Sequence, residues 1–386
     1  MFRSISLLLR RRSAAKNVLT ELDKAAQWRA QTKQIAASKT QQNTLAIIRL
    51  DDIGDYLLFR NFLASYRSSK RFSNYKITLI GNSAWKPIFE QFDANYIDAT
   101  VWVDKHQYYS DDAYRSSLCE QLRTYGFETV ICPARTRSLL LDDVLALATG
   151  APTLIANSNT FRFPEWNKIS DALYSNIHQD DFSTHEFVFN RSFTNWVTGE
   201  NDQISRPSLP RPVDFLETKN SIICFIGATA KSRRWSAEKW IELIRQLMQL
   251  GYQPTIAGGK QEVEMATKIA AATDAVSIAG KTTLTETFEW IATSAAVISG
   301  DTMAAHVGVS YNKPTVIISN GVNAARFVAY KENAQIEQVA AIYAQPYRSY
   351  INRGKNSFLY FDGVSSDMDS IKTTEVITEL QRLLKA

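Results

Sequence analysis

The sequence predicts an α/β protein built from two Rossmann-like domains, each with a mainly parallel sheet. Short apolar runs alternate with helix-length segments, the alternation comes in two series, and a proline-rich stretch without a period divides them. The 386 residues exceed what one hydrophobic core usually supports, and an apolar content of 45% is enough to fill two.

The elements follow in order. Residues 1–44 read as a basic helical extension. The first domain spans 45–205 and opens with a buried strand at 45–50, an acidic turn and a helical pattern over 56–66. Further strands are expected at 77–80, 99–103, 129–132 and 153–156, with helices at 111–125 and 138–148. A linker over 206–219 holds Pro207, Pro210 and Pro212. The second domain, 220–366, has strands expected at 221–226, 254–257, 276–279, 295–299 and 315–319. Helical segments at 237–250, 262–272, 284–293 and 304–309 separate them. From 320 to 367 the pattern weakens into a stretch rich in Tyr, Asn and Arg, which reads as an irregular insertion or lid. The last segment, 367–386, is a helix with Ile371, Val376, Ile377, Leu380 and Leu384 at core-facing spacing.

Charge and composition exclude several functions. The net charge is +5, and residues 1–44 alone carry nine Lys or Arg against Glu21 and Asp23, which leaves a mildly acidic body. That balance argues against nucleic-acid binding and suits an extension lying on an anionic membrane surface, with a helix packed on the body as the alternative. No apolar run reaches the roughly 18 residues of a spanning helix. In the opening residues the arginines follow the short apolar run and no small-residue cleavage site is evident, so export is not expected. Cys119, Cys132 and Cys224 lack paired spacing and fit core positions in a reducing cytoplasm. Neither domain's first strand leads into G-x-G-x-x-G, which disfavours a dinucleotide-dependent dehydrogenase or epimerase. Gly280-Lys281-Thr282 lacks the earlier glycine of a Walker loop.

Four constellations can carry chemistry. In the run from Val297 to His306 a buried strand stops at Gly300, and Asp301 and Thr302 can cap a helix whose first-turn amides attract an anion. Met303 and His306 lie in the following turns. The stretch Arg49-Leu-Asp-Asp-Ile-Gly-Asp55 sets a carboxylate at a helix start, as a cap or facing a cleft. The loop from Phe225 to Ser236 carries Thr229, Lys231, Arg233 and Arg234, donors able to clamp a diphosphate. In Ala257-Gly-Gly-Lys-Gln-Glu262 a glycine pair allows close approach of a ligand whose ribose Glu262 could bind.

In their order and spacing these motifs resemble glycosyltransferase family 9, the heptosyltransferases that build the lipopolysaccharide inner core. The resemblance covers the chain from about Leu45 and includes the Gly-Asp-Thr-x-x-x-His block ending at His306 and Lys313-Pro314. It implies a GT-B fold, with an acceptor domain first and a sugar-nucleotide domain second. It implies an inverting transfer of a heptose or related sugar from a nucleoside-diphosphate donor, ADP-linked, to a lipopolysaccharide-core or other lipid-linked glycan, with no cofactor and no metal. Asp55 would be the general base and Arg233 the catalytic cation. Thr229, Lys231, Glu262, Asp301, Thr302, Met303 and His306 would bind the donor. The expected location is the cytoplasm, peripheral on the inner face of the bacterial inner membrane. Two positions depart from the family pattern: Arg233 stands where the family has Lys, and Met303 where it has Gly. They motivate a second reading, a catalytically inert GT-B scaffold that binds nucleotide or glycan and recruits partners.

Overall fold

The computed structural model describes residues 20–160, 164–180, 184–211, 218–228, 230–351 and 367–385. The first 19 residues, and with them most of the basic cluster, therefore lie outside the described residues, as do Thr229 and residues 352–366 of the expected lid.

The first half is a six-stranded parallel sheet of β1 (Thr44–Arg49), β2 (Lys76–Asn82), β3 (Ala99–Val103), β4 (Thr129–Cys132), β5 (Thr153–Asn157) and β6 (Asn176–His178). The spatial order is β3-β2-β1-β4-β5-β6. Every residue of β1 is buried, as expected of a central strand with helices on both faces. Ile47 registers with Leu79 on one side and Ile131 on the other.

The second half repeats the plan with β7 (Thr218–Phe225), β8 (Gln253–Ala257), β9 (Val276–Ser277), β10 (Ser294–Gly300), β11 (Thr315–Ser319) and β12 (Val339–Tyr343). Their order, β12-β11-β10-β7-β8-β9, is again parallel throughout. In each sheet the first and fourth strands are neighbours, and the winding reverses between them. The crevice beyond the carboxyl ends of such a pair is where open α/β sheets bind ligands.

Three expectations need correction. The helical pattern at 56–66 resolves into helix Ile53–Phe59, a 3₁₀ turn at Arg60–Phe62 and helix Leu63–Ser68. It begins earlier than expected, so Asp55 sits inside its first turn. The fifth strand of the first half is followed by helix Pro164–Asp171, β6 and helix Glu186–Thr198, which the sequence pattern left unassigned. The stretch after Asn320 is not wholly irregular: it supplies helices Ala324–Phe327, Tyr330–Ala334 and Tyr347–Ile351 and the edge strand β12. Helix Thr373–Lys385 packs on the second sheet through Val376, Leu380 and Leu383, with Leu384 only partly buried.

Each sheet has an apolar cluster on its outer face, and a third cluster runs through both halves. It joins Ile47, Leu57, Phe59 and Phe62 of the first half to Val297, Ala304, Ala305 and Val307 of the second. Helix Ile53–Phe59 thus lies directly on helix Met303–Ser310. Gly54 makes the approach feasible, because a Cβ there would stand 2.9 Å from His306 Cδ2. The described part of the proline-rich stretch is tied to both halves: the Leu209 amide donates to the Ser310 carbonyl, and Asn61 Nδ2 donates to that of Ser208. The helix over 20–34 packs Ala25 and Trp28 on the first half, with the Arg115 guanidinium 3.6 Å from the centre of the Trp28 ring. Among the described residues no helix is long and apolar enough to cross a membrane.

Candidate active site

A cavity of about 680 Å³ opens between the two halves at the carboxyl ends of their central strands. Asp52, Ile53, Gly54 and Asp55 line it from the first half. Gly227, Arg233, Glu262, Asp301, Met303 and His306 line it from the second.

On the second-half side, β10 ends at Gly300 and delivers Asp301 to the cavity wall. Asp301 is buried, and its Oδ2 lies 3.4 Å from Arg233 Nη1. Burial pushes this carboxyl up to about 6 and Asp55 adds to the effect, while Arg233 opposes it. Thr302 has the extended backbone of an N-cap, yet its hydroxyl bonds Ser299 Oγ at 2.9 Å and does not cap the helix. The helix start at Met303 and Ala304 is therefore not claimed by a capping side chain and faces the cavity, a geometry that favours an anion. Met303 is partly buried in the same wall.

Glu262 is held from two sides. Its Oε2 accepts from the Gly259 amide at 3.0 Å, and its Oε1 lies 3.3 Å from Arg234 Nη2. Gly227 leaves room for it, since a Cβ at that position would come within 2.9 Å of Glu262 Cδ. The carboxylate expected to meet a ribose is thus fixed in place at the rim of the cavity. Lys231 is not brought in. It is exposed in the 3₁₀ turn Lys231–Arg233 and borders a shallow depression with Trp235 and Asp369.

His306 is buried, with Nδ1 2.6 Å from the Tyr330 hydroxyl. Burial drives the imidazole down to about 4, with Glu186 opposing, so the ring is neutral near pH 7. Tyr330 as donor to Nδ1 leaves the ring proton on Nε2, an assignment made from the hydrogen-bond network. Nε2 lies on the side facing Gly54. His306 is then a hydrogen-bond donor at the seam and carries no charge.

On the first-half side, Asp55 is partly buried in the first turn of its helix. Burial raises its carboxyl, Arg326 holds the rise back, and Glu186 and Asp52 add to it. Behind it lies a buried charge network. Arg49 is fully buried; its Nε donates to Asp51 Oδ1 at 2.8 Å and its Nη2 to the Asp55 carbonyl at 3.3 Å. Glu186, also fully buried, has Arg326 at 2.7 Å, Arg49 at 3.5 Å and Arg135 at 3.9 Å. Burial alone would raise its carboxyl, but the three guanidinium groups outweigh it and hold the group at about 2.

Arg326, Glu186 and Tyr330 were not singled out from the sequence. The one signal for Glu186 is its place at the head of a helix with Phe187, Phe189 and Phe193, where an acid among aromatics needs a partner. Arg326 and Tyr330 fall in the stretch whose periodicity is weak.

Known proteins fit this geometry. Residues 191–357 match the model of glycosyltransferase family 9 (heptosyltransferase). No curated protein sequence matches the chain. Among solved structures, the family 9 glycosyl transferase from Veillonella parvula superposes with a TM-score of 0.68 at 18% identity, covering 91% of this chain and 99% of that one. The E. coli heptosyltransferase WaaC with ADP gives 0.66 at 16% identity, over 88% and 99%. The E. coli ADP-heptose heptosyltransferase II gives 0.64 at 15%, over 89% and 98%. At these identities the superpositions speak for the fold, which is GT-B, and the family match speaks for glycosyl transfer. Residues 191–357 thus match glycosyltransferase family 9, and a GT-B fold extends over nearly all of the chain.

Proposed function

We propose that the protein moves a heptose or related sugar from a nucleoside-diphosphate donor, ADP-linked, to a hydroxyl of a lipopolysaccharide-core or other lipid-linked glycan, with inversion and without a metal. The observation that carries this reading is the facing of Asp55 and the Asp301-to-His306 wall across one cavity. The carboxylate of Asp55 takes the proton of the acceptor hydroxyl as its oxygen bonds the anomeric carbon. The bond from that carbon to the diphosphate oxygen breaks on the opposite face, and its electron pair leaves with the nucleoside diphosphate. Arg233, the amides at the start of helix Met303–Ser310 and the Nε2 proton of His306 meet the growing charge. Glu262 and Thr229 orient the donor. Lys231 contributes only long-range charge. The basic segment at residues 1–44 is proposed to hold the enzyme against anionic lipid at the cytoplasmic face of the inner membrane.

The test is incubation of the full chain with ADP-heptose and other sugar nucleotides, following transfer or slow donor hydrolysis. Asp55→Asn should lower turnover by about 10²–10⁴-fold, the usual worth of a general base, with donor binding kept. Failure to bind any sugar nucleotide would sink the proposal. Tight binding with no transfer to any acceptor would favour the inert scaffold that Met303 suggests.

A further inference from the structure

Arg326 belongs to the second half, on helix Ala324–Phe327 after β11, yet its guanidinium reaches three groups of the first half. Nε donates to Glu186 Oε2 at 2.7 Å and Nη1 to Thr136 Oγ1 at 3.0 Å, while Nη2 stands 3.8 Å from Asp55 Oδ1. A guanidinium is a rigid planar fork, so docking two of its nitrogens fixes where the third points. The dock is itself held from other sides: Glu186 is fully buried between Arg49 and Arg135, and the Thr136 hydroxyl also meets that of Thr160 at 3.1 Å.

We infer that Arg326 is a positioning residue for Asp55, acting from the opposite half: anchored on Glu186 and Thr136, it holds the carboxylate in place and keeps it charged. The inference rests on the sugar-transfer reading only for the role of Asp55. The charged groups around Asp55 are Arg326 and Arg49 on one side of the balance and Glu186, Asp51, Asp52 and Asp301 on the other, with the neutral His306 on the facing helix. Four carboxyls and burial work against ionisation of Asp55, and Arg326 is the leading charge that opposes them. At 3.8 Å it acts through its field and leaves the carboxylate oxygens free to receive a proton.

The experiment uses the full chain labelled with ¹³Cγ-aspartate, the Asp55 signal being identified by its loss in Asp55→Asn. It is titrated in the unsubstituted protein, in Arg326→Gln and in Arg326→Lys, alongside the pH profile of kcat and the affinity for ADP. In Arg326→Gln the Asp55 midpoint should rise by about one unit or more, a tenfold loss of carboxylate at a pH below both midpoints, and the acid limb of kcat should move with it. Arg326→Lys should fall between the two, with ADP affinity unchanged in both. An Asp55 midpoint that stays put in Arg326→Gln, or a fall in kcat with no movement of its acid limb, would overturn the inference. Should Arg326→Gln fail to fold, Arg326→Met, which also removes the charge, carries the same comparison, and an unmoved midpoint in it overturns the inference as well. No transfer by the unsubstituted protein, with the Asp55 shift intact, would remove the sugar-transfer reading and leave the Arg326 assignment standing.

Discussion

The two halves share one strand order but fill their switch points in opposite ways. Beyond β1 and β4 the crevice is packed with its own charges: Arg49, Arg135 and Arg137 are buried, and each is paired with a carboxylate. Beyond β7 and β10 the corresponding crevice opens into the cavity, where Gly227 makes room for Glu262 and, among the described residues, Arg233 is paired with Asp301. A fold-level rule therefore says where a ligand can bind. Side chains decide whether one can enter.

The sharpest way to break this contrast is to remove a charge from each side. Glu186→Ala strips the acid from among three guanidinium groups and should lower stability by about 3–5 kcal/mol, the usual cost of breaking a buried pair. Urea unfolding measures it, and a loss within about 0.5 kcal/mol of zero, the range usual for surface substitutions, would show that the network is not structural. Arg233→Ala should do the reverse. Its side chain is 30% exposed and a single acid, Asp301, loses its partner, so folding stability should change far less than in Glu186→Ala. Affinity for ADP should fall by about 1.5–3 kcal/mol, the worth of a hydrogen bond to a charged group, as read by calorimetric titration.

Gly54→Ala probes the place where the two halves meet. The new methyl would press on His306 Cδ2 at 2.9 Å, and overpacking of this kind costs about 1–3 kcal/mol. A melting temperature equal to that of the parent would mean that the helices slide apart freely. The smallest effect is expected for Lys231→Ala, which should weaken ADP binding by less than about threefold, since the side chain is exposed and outside the cavity.

Acid should separate the two crevices. The folded value of Glu186 lies below its ordinary one, so its stabilisation is whole above about pH 5 and is lost as pH falls through 2. Asp55 and Asp301 are raised, so their charged forms disappear at higher pH than that of an ordinary carboxyl. Turnover should accordingly begin to fall at a higher pH than an ordinary carboxyl would set, while the fold persists. Coincident loss of turnover and of near-ultraviolet circular dichroism would contradict this.

How much of this was legible in the sequence depends on where the signal lies. The strand ending at Gly300 and the strand leading into the acidic turn at Asp55 are continuous apolar runs followed by polar helix-start residues, so local pattern reveals both. Their meeting across the cavity came only through family resemblance. Arg326 and Glu186 are 140 positions apart, and a pairing made by the docking of two halves leaves no periodic trace in either segment. The strand Val339–Tyr343 is a short apolar run with a plain strand pattern, but its polar, aromatic surroundings hid it. Lys231 shows the opposite error: a cation in a promising loop whose side chain turns away from the cavity.

The contact between helices Ile53–Phe59 and Met303–Ser310 fixes a length. One helix carries in its first turn the aspartate proposed to take a proton, the other begins with the amides proposed to hold a diphosphate, and both are seated in one apolar cluster. On the proposed roles, the spacing between base and leaving group is built into the body of the protein, like the throat of a gauge, and is not remade at each turnover. Any widening that admits a bulky acceptor must pivot about this contact, and changes of substrate size should be accommodated at the outer rim.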